Sequence, residues 1–102
     1  MQDSRVFVVN HVGKDMSDAK QYGMLIPVTE GNVDVFNLDR LLYTLKDILG
    51  TYHYNHKEDY ILLSGGLPLN FVMGAICGKF GSAWLLLWDA KNKKYVKKEF
   101  KI

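Results

Sequence analysis

An α/β fold follows from three features of the sequence. Short runs of Val, Ile and Leu alternate with two segments of helix length. The strand-like runs on either side of each helix are far enough apart for parallel crossovers. The last two strand-like runs are separated only by the turn-forming stretch Asp89-Ala90-Lys91-Asn92-Lys93, the signature of an antiparallel hairpin. The 102 residues suit one domain, 1–102, and the 48% apolar content beside 24% charge can fill a core.

The elements follow in order. Val6-Phe7-Val8-Val9 is a continuous β-branched and aromatic run, a buried strand ending at Asn10. Residues 11–23 are polar, with Ser17 placed to cap a short helical turn and Gly23 to end it. A second strand spans Met24 to Thr29; Pro27 has no amide donor, which puts this strand at a sheet edge or a bulge. Asn37 caps an amphipathic helix whose Leu38, Leu41, Leu42, Leu45, Ile48 and Leu49 recur at helical spacing, with Gly50 as its stop. Tyr60-Ile61-Leu62-Leu63 is apolar throughout, as a central parallel strand must be. Ser64-Gly65-Gly66 leads into a second helix that Pro68 starts. Ala83 to Trp88 forms a fourth strand and Lys94 to Ile102 a fifth. On the fifth, Val96, Phe100 and Ile102 share one face, with Tyr95, Lys97, Glu99 and Lys101 on the other. The order β-β-α-β-α-β-β predicts a mixed sheet of about five strands with a parallel core, a Rossmann-like or flavodoxin-like fragment.

Charge divides the chain unevenly. Residues 1–50 carry a balance of −2 and residues 51–102 a balance of +4, most of it in lysines near the C-terminus. Lysines alternating with Val96 and Phe100 fit a protected edge strand. Trp88 and Tyr95 offer stacking surfaces, but no arginine in this half supplies bidentate phosphate contacts, so nucleic acid is not the expected partner. One cysteine, Cys77, excludes an internal disulfide and a four-cysteine zinc site. No apolar run reaches membrane-spanning length. Met1-Gln2-Asp3-Ser4-Arg5 lacks the character of a secretory leader. A soluble, cytoplasmic protein without a cofactor is the expectation.

Ligands of open α/β sheets lie beyond the carboxyl ends of the parallel strands. Those ends carry Asn10 and His11, then Thr29 and Glu30, then Ser64, Gly65 and Gly66, with Asp89 after the fourth strand. Glycines permit close backbone approach and a helix start favours an anion, so this set is the candidate site for a nucleotide or other anion. It is neither a complete G-x-G-x-x-G nor a Walker loop, and Pro68 removes one donor. His53 and His56 with Asp59 are the nearest approach to a metal cluster, but no second cluster completes it. His11 beside Asp15 and Asp18 is the nearest to a base with its orienting carboxylate. Ser64 lacks a nucleophile elbow, and a hydrolase on His11 or Ser64 would need a deep pocket joining them. Cys77, mid-helix, reads as a small packing residue.

The second helix carries a different signal. Leu69, Val72, Met73, Ile76 and Phe80 form one face that should pack on the sheet. The opposite face, Asn70, Phe71, Gly74, Cys77 and Gly78, has no charge before Lys79. Either this face lies under residues 11–23 or the C-terminal hairpin, or it is an interface for a second copy or a protein partner. Trp84 and Trp88 share one face of their strand, and either fill the core or enlarge that surface.

Four segments taken together carry a resemblance. They are Arg5-Val6-Phe7-Val8-Val9-Asn10, the stretch from Asp15-Met16-Ser17-Asp18-Ala19 to Tyr22-Gly23, Asp59-Tyr60-Ile61-Leu62-Leu63-Ser64-Gly65, and Leu86-Leu87-Trp88-Asp89 leading to Lys94-Tyr95. The chain resembles small α/β proteins of tailed bacteriophages. The resemblance transfers no functional residue; it implies a host bacterial cytoplasm, where such proteins bind host machinery, signalling nucleotides or virion parts. The expected function is a non-enzymatic interaction protein that self-associates or binds a partner through the second helix. The alternative is a small-ligand binder at Ser64-Gly65-Gly66.

Overall fold

The computed structural model describes residues 4–102; residues 1–3, part of the segment without leader character, lie outside the described residues. Strand β1 (Arg5–Val8) is followed by a 3₁₀ helix (Ser17–Tyr22), β2 (Met24–Pro27), helix α1 (Leu38–Thr51), β3 (Tyr60–Leu62), helix α2 (Leu67–Gly78), β4 (Ser82–Asp89) and β5 (Lys94–Lys101). The sheet order is β2-β1-β3-β4-β5, with β4 and β5 antiparallel and every other pair parallel. The five-stranded mixed α/β sheet is therefore the one the sequence predicts. From β1 the chain steps outward to β2, then crosses over β1 to β3 and proceeds the other way, so the direction of winding reverses between β1 and β3.

The two faces are built by alternation along the strands. Phe7, Val9, Ile26, Val28, Ile61 and Ala83 pack against Leu41, Leu45 and Leu49 of α1 and Leu69, Val72, Met73 and Ile76 of α2. Val6, Val8, Leu62, Leu86 and Tyr95 face the other way and close over Met16 and Ala19 of the 3₁₀ segment. Both helices thus lie on one side, and the segment 11–23 lies on the other.

Several local expectations hold. Asn37 accepts the Arg40 amide at 3.1 Å and caps α1. Gly23 ends the 3₁₀ helix at a φ of 151°, where a Cβ would stand 2.2 Å from the Ser4 carbonyl oxygen. Pro27 sits on edge strand β2, where its missing donor leaves the ladder to β1 intact.

Others are corrected. Met16, not Ser17, is the cap of the 3₁₀ helix, and the Asp15 carboxylate takes the Ser17 amide at 2.9 Å. Strand β2 ends at Pro27 rather than Thr29, and the Thr29 hydroxyl donates to the Val9 carbonyl at 2.7 Å. Gly50 does not stop α1, which runs on to Thr51; His53 takes the left-handed turn at φ 53°. The chain is tied there by Arg5, which donates to the Tyr52 and His53 carbonyls and pairs with the fully buried Asp59 at 3.1 Å. Phe80 lies beyond α2 and half in solvent, stacked on His56 at 5.4 Å. Trp84 and Trp88 neither fill the helix-side core nor extend the α2 surface. They lie on the 3₁₀ side, with Lys97 over Trp84 at 5.7 Å and Lys14 over Trp88 at 5.2 Å.

Candidate functional site

Of the residues singled out at the strand ends, Asn10, His11, Thr29, Glu30, Ser64 and Gly65 come together, while Asp89 is bonded within its own turn. Asn10 and Ser64 stand side by side at the reversal between β1 and β3, joined twice. The Asn10 amide donates to Ser64 Oγ at 3.0 Å, and that hydroxyl donates to the Asn10 carbonyl at 2.9 Å. Asn10 Nδ2 reaches the Gly31 carbonyl at 3.1 Å, the His11 amide reaches the Thr29 carbonyl at 2.9 Å, and His11 bridges to Glu30. Gly65 adopts φ 78°, and a Cβ there would lie 2.7 Å from Asn10 Cβ. Only glycine fits that approach.

Most polar groups of this junction are spent on one another. Asn70, on the first turn of α2, donates to the Ser64 and Gly66 carbonyls, both at 2.9 Å, and accepts the Ser64 amide at 3.3 Å. Asn70 therefore locks the junction rather than standing free on the outer helix face. Ser64 directs its proton to a backbone carbonyl, not to a base. One group is left over: Asn10 is 4% exposed and its Oδ1 has no donor.

Asp59, His56, Asp18 and Asp89, also weighed for chemistry, serve the fold. Asp59 accepts the Arg5 and Asn55 amides as well as the guanidinium, and His56 Nδ1 meets Ser82 Oγ at 3.0 Å. Asp18 takes the Tyr95 amide at 2.6 Å. Asp89 takes the Asn92 side chain and the Lys91 and Asn92 amides; the Asn92 bonds hold its carboxyl below the usual carboxylate range.

The second candidate surface begins on α2. Phe71 is 78% exposed, and Gly74 has nothing within 4 Å of where a Cβ would stand. Cys77 is the small packing residue its mid-helix place suggests, not part of the exposed outer face: it is 7% exposed, its thiol lies 3.9 Å from the Tyr54 hydroxyl, and burial pushes its pKa up. Gly78 is half-covered, with Ile102 Cδ1 3.7 Å from the position of a Cβ. The segment 11–23 lies on the far side of the sheet and does not cover this face. The hairpin lies beside α2 without closing on it, leaving a groove of about 290 Å³ lined by Leu63, Gly74, Leu85, Phe100 and Ile102 among others. Phe100 and Ile102 are 58% and 81% exposed.

Sequence reasoning found the α2 half of this groove and missed the β half. The alternation of Val96, Phe100 and Ile102 was the available signal, but it does not say which face a helix covers. Tyr95, from the lysine-bearing face, is the residue of β5 that is buried, because the 3₁₀ helix lies over it. Its outward backbone groups are taken by Asp18 and by the Tyr22 hydroxyl, which donates to the Tyr95 carbonyl at 3.1 Å.

Among the described residues, no helix is long and apolar enough to cross a membrane. No curated protein and no solved structure matches the chain. Residues 4–102 match the family described as Phage Pam3 gp32-like protein, and the chain, a small phage protein, belongs to that family.

Proposed function

We propose that this phage protein is a protein-interaction module of the host cytoplasm that docks through α2 and the adjoining helix-side face of β4 and β5. One observation carries the reading: open Gly74 of α2, about one turn along from exposed Phe71, lines one groove with exposed Phe100 and Ile102 of the C-terminal strand and its end. Contiguous apolar surface of this kind marks association sites in small proteins. The hydrolase alternative gains no support from Ser64, whose hydroxyl donates to the Asn10 carbonyl rather than to a base.

A photo-crosslinking amino acid placed at Phe71 or Phe100 tests the reading during phage growth. Discrete adducts are expected from both positions, none from the same probe at Lys46 on α1, and loss of adducts on adding Gly74→Lys. Adducts that ignore Gly74→Lys, or none at all, refute the reading.

A second reading rests on the orphaned Asn10 Oδ1 at the β1/β3 reversal, where doubly wound sheets hold their ligands. A nucleotide would bring both a donor for Oδ1 and a phosphate for the start of α2. A thermal-shift screen against nucleotides tests it: a ligand at a hundred times its dissociation constant adds about 2.7 kcal/mol. No shift removes the support for this reading.

A further inference from the structure

We propose that the groove receives an amphipathic helix with acidic residues flanking its apolar face, supplied by a different protein rather than by a second copy of this chain. This rests on the docking surface proposed above and adds the chemistry of its occupant.

Layer geometry calls for a helix. Packed helices lie about 8–10 Å apart and strands about 4.8 Å apart, so each helix roofs about two strands. Two helices leave the fifth strand and the outer side of the fourth unroofed, and that is where Leu87, Phe100 and Ile102 are exposed. Helix α2 borders the vacant place with Gly74 and Gly78, one turn apart, and Gly74 offers an approaching helix no side chain to clear. An extended partner is disfavoured. At Tyr95 the outward edge of β5 is already occupied by Asp18 and Tyr22, and Lys97 and Lys101 guard the remainder.

Charge distinguishes the occupants. Helix α2 carries no ionisable side chain but Cys77, and no acidic side chain lines the groove. On β5 the helix-side positions are Lys94, Val96, Lys98 and Phe100, set opposite Asp89, Leu87, Leu85 and Ala83. Lys94 thus faces Asp89, while Lys98 faces only Leu85. Among the described residues the salt bridges are Arg5–Asp59 and Lys101–Glu99, so Lys98 is left without an ion-pair partner. In a twofold dimer the same patch faces itself. Its one acidic side chain, Asp89, lies opposite Lys94 and is bonded into its own turn, so the patch of a second copy offers Lys98 no free side-chain carboxylate. A partner helix with glutamates or aspartates along its flank does.

The full chain is titrated into two fluorescein-labelled, helix-forming peptides of sixteen residues. They share one Leu/Ala face and differ only in carrying Glu or Lys along both flanks. Anisotropy should rise saturably with the Glu peptide and weakly with the Lys peptide. Lys98→Glu should weaken the Glu peptide about tenfold and strengthen the Lys peptide, since an exposed pair turns from attraction to repulsion. Gly74→Lys and Phe100→Lys should abolish binding while leaving the thermal midpoint within a few degrees. Equal binding of both peptides, binding of neither, or indifference to Lys98→Glu overturns the proposal. Sedimentation velocity separates this failure from that of the surface. Self-association lost in Gly74→Lys would assign the groove to a second copy and leave the docking surface standing. Absence of crosslinks from Phe71 and Phe100 would remove the surface itself.

Discussion

Gly74 and Gly65 predict opposite outcomes for the same chemical change. Gly74 is exposed in the middle of α2, with nothing within 4 Å of where an added methyl would stand, so Gly74→Ala adds no clash. It removes the conformational cost of glycine in a helix and should stabilise the protein by about 0.5–1 kcal/mol. Gly65 sits at φ 78°, which costs an alanine about 1–2 kcal/mol. Its new methyl would also stand 2.7 Å from Asn10 Cβ, and Asn10 cannot yield easily because Ser64 and Gly31 hold it. Overpacking of this kind costs about 1–3 kcal/mol, so Gly65→Ala should lose about 2–5 kcal/mol in total. Urea denaturation followed by tryptophan fluorescence reads both, with an unchanged m-value showing that the midpoint shift is stability. In thermal melts Gly74→Ala should gain about 2–8 °C and Gly65→Ala should lose about 10 °C or more, on the order expected for this chain length. A neutral Gly65→Ala would refute the packed β1/β3 junction. A destabilising Gly74→Ala would mean that the outer face of α2 is already covered within the protomer.

Three further outcomes follow from buried polar groups. Asp59→Asn keeps the side-chain size but sets an amide among the Arg5 and Asn55 donors, and should cost about 3–5 kcal/mol in urea, as breaking a buried pair does. Asp18→Ala frees the Tyr95 amide at the β5 edge; a loss of about 1.5–3 kcal/mol is expected, with light scattering rising at high protein concentration as exposed edges pair. Burial raises the pKa of both Tyr54 and Cys77, so each stays protonated in the fold where the unfolded chain would ionise. Their stabilising contribution is lost as pH rises beyond the ordinary values, 10.0 for the phenol and 9.0 for the thiol, because the unfolded chain then gains by ionising. Urea midpoints taken from about pH 8 to 11 should fall, and Tyr54→Phe should fall less steeply; equal slopes would contradict the buried phenol.

What the sequence made legible was local, and what it hid was which layer covers which face. Asn37, the leucine spacing of α1 and the apolar run of β3 each fix an element through interactions within a few residues, and each is found where expected. Pro27 announced an edge because a missing donor is a property of one residue. Cys77 is different. Along the chain it reads both as a packing residue and as part of the outer face of α2, and only the position of Tyr54 and β4 decides for the core. Tyr95 reads as a companion of the lysines until the 3₁₀ helix is seen to lie over it, an arrangement settled by contacts with Asp18 and Tyr22, far away along the chain. The same holds for the candidate site. Asn10 and Ser64 are legible as strand ends, but their mutual pairing depends on β1 and β3 being neighbours.

Two features that look separate along the chain act on one surface. The lysine excess of the second half falls largely on β5, and strand alternation divides it. Lys97 and Lys101 project on the 3₁₀ side, where Lys101 meets Glu99 at 3.6 Å and Lys97 covers Trp84. Lys94 and Lys98 project on the helix side, and Lys98 stands beside the groove with only Leu85 opposite. The glycines of α2 cost that helix about 1 kcal/mol apiece against alanine. Contact within the chain accounts for at most one of them: Ile102 lies near Gly78, and nothing lies near Gly74. Gly74 weakens α2 without internal cause, beside an exposed Phe71, a groove lined by no acidic side chain and a Lys98 that joins neither salt bridge of the described residues. The proposed partner helix would supply apolar contacts at the centre and an anion at the rim. If those contacts come from a partner, binding should weaken with salt, in the main through Lys98. The salt dependence should then shrink in Lys98→Met, while the apolar affinity set by Phe71, Phe100 and the open glycine persists.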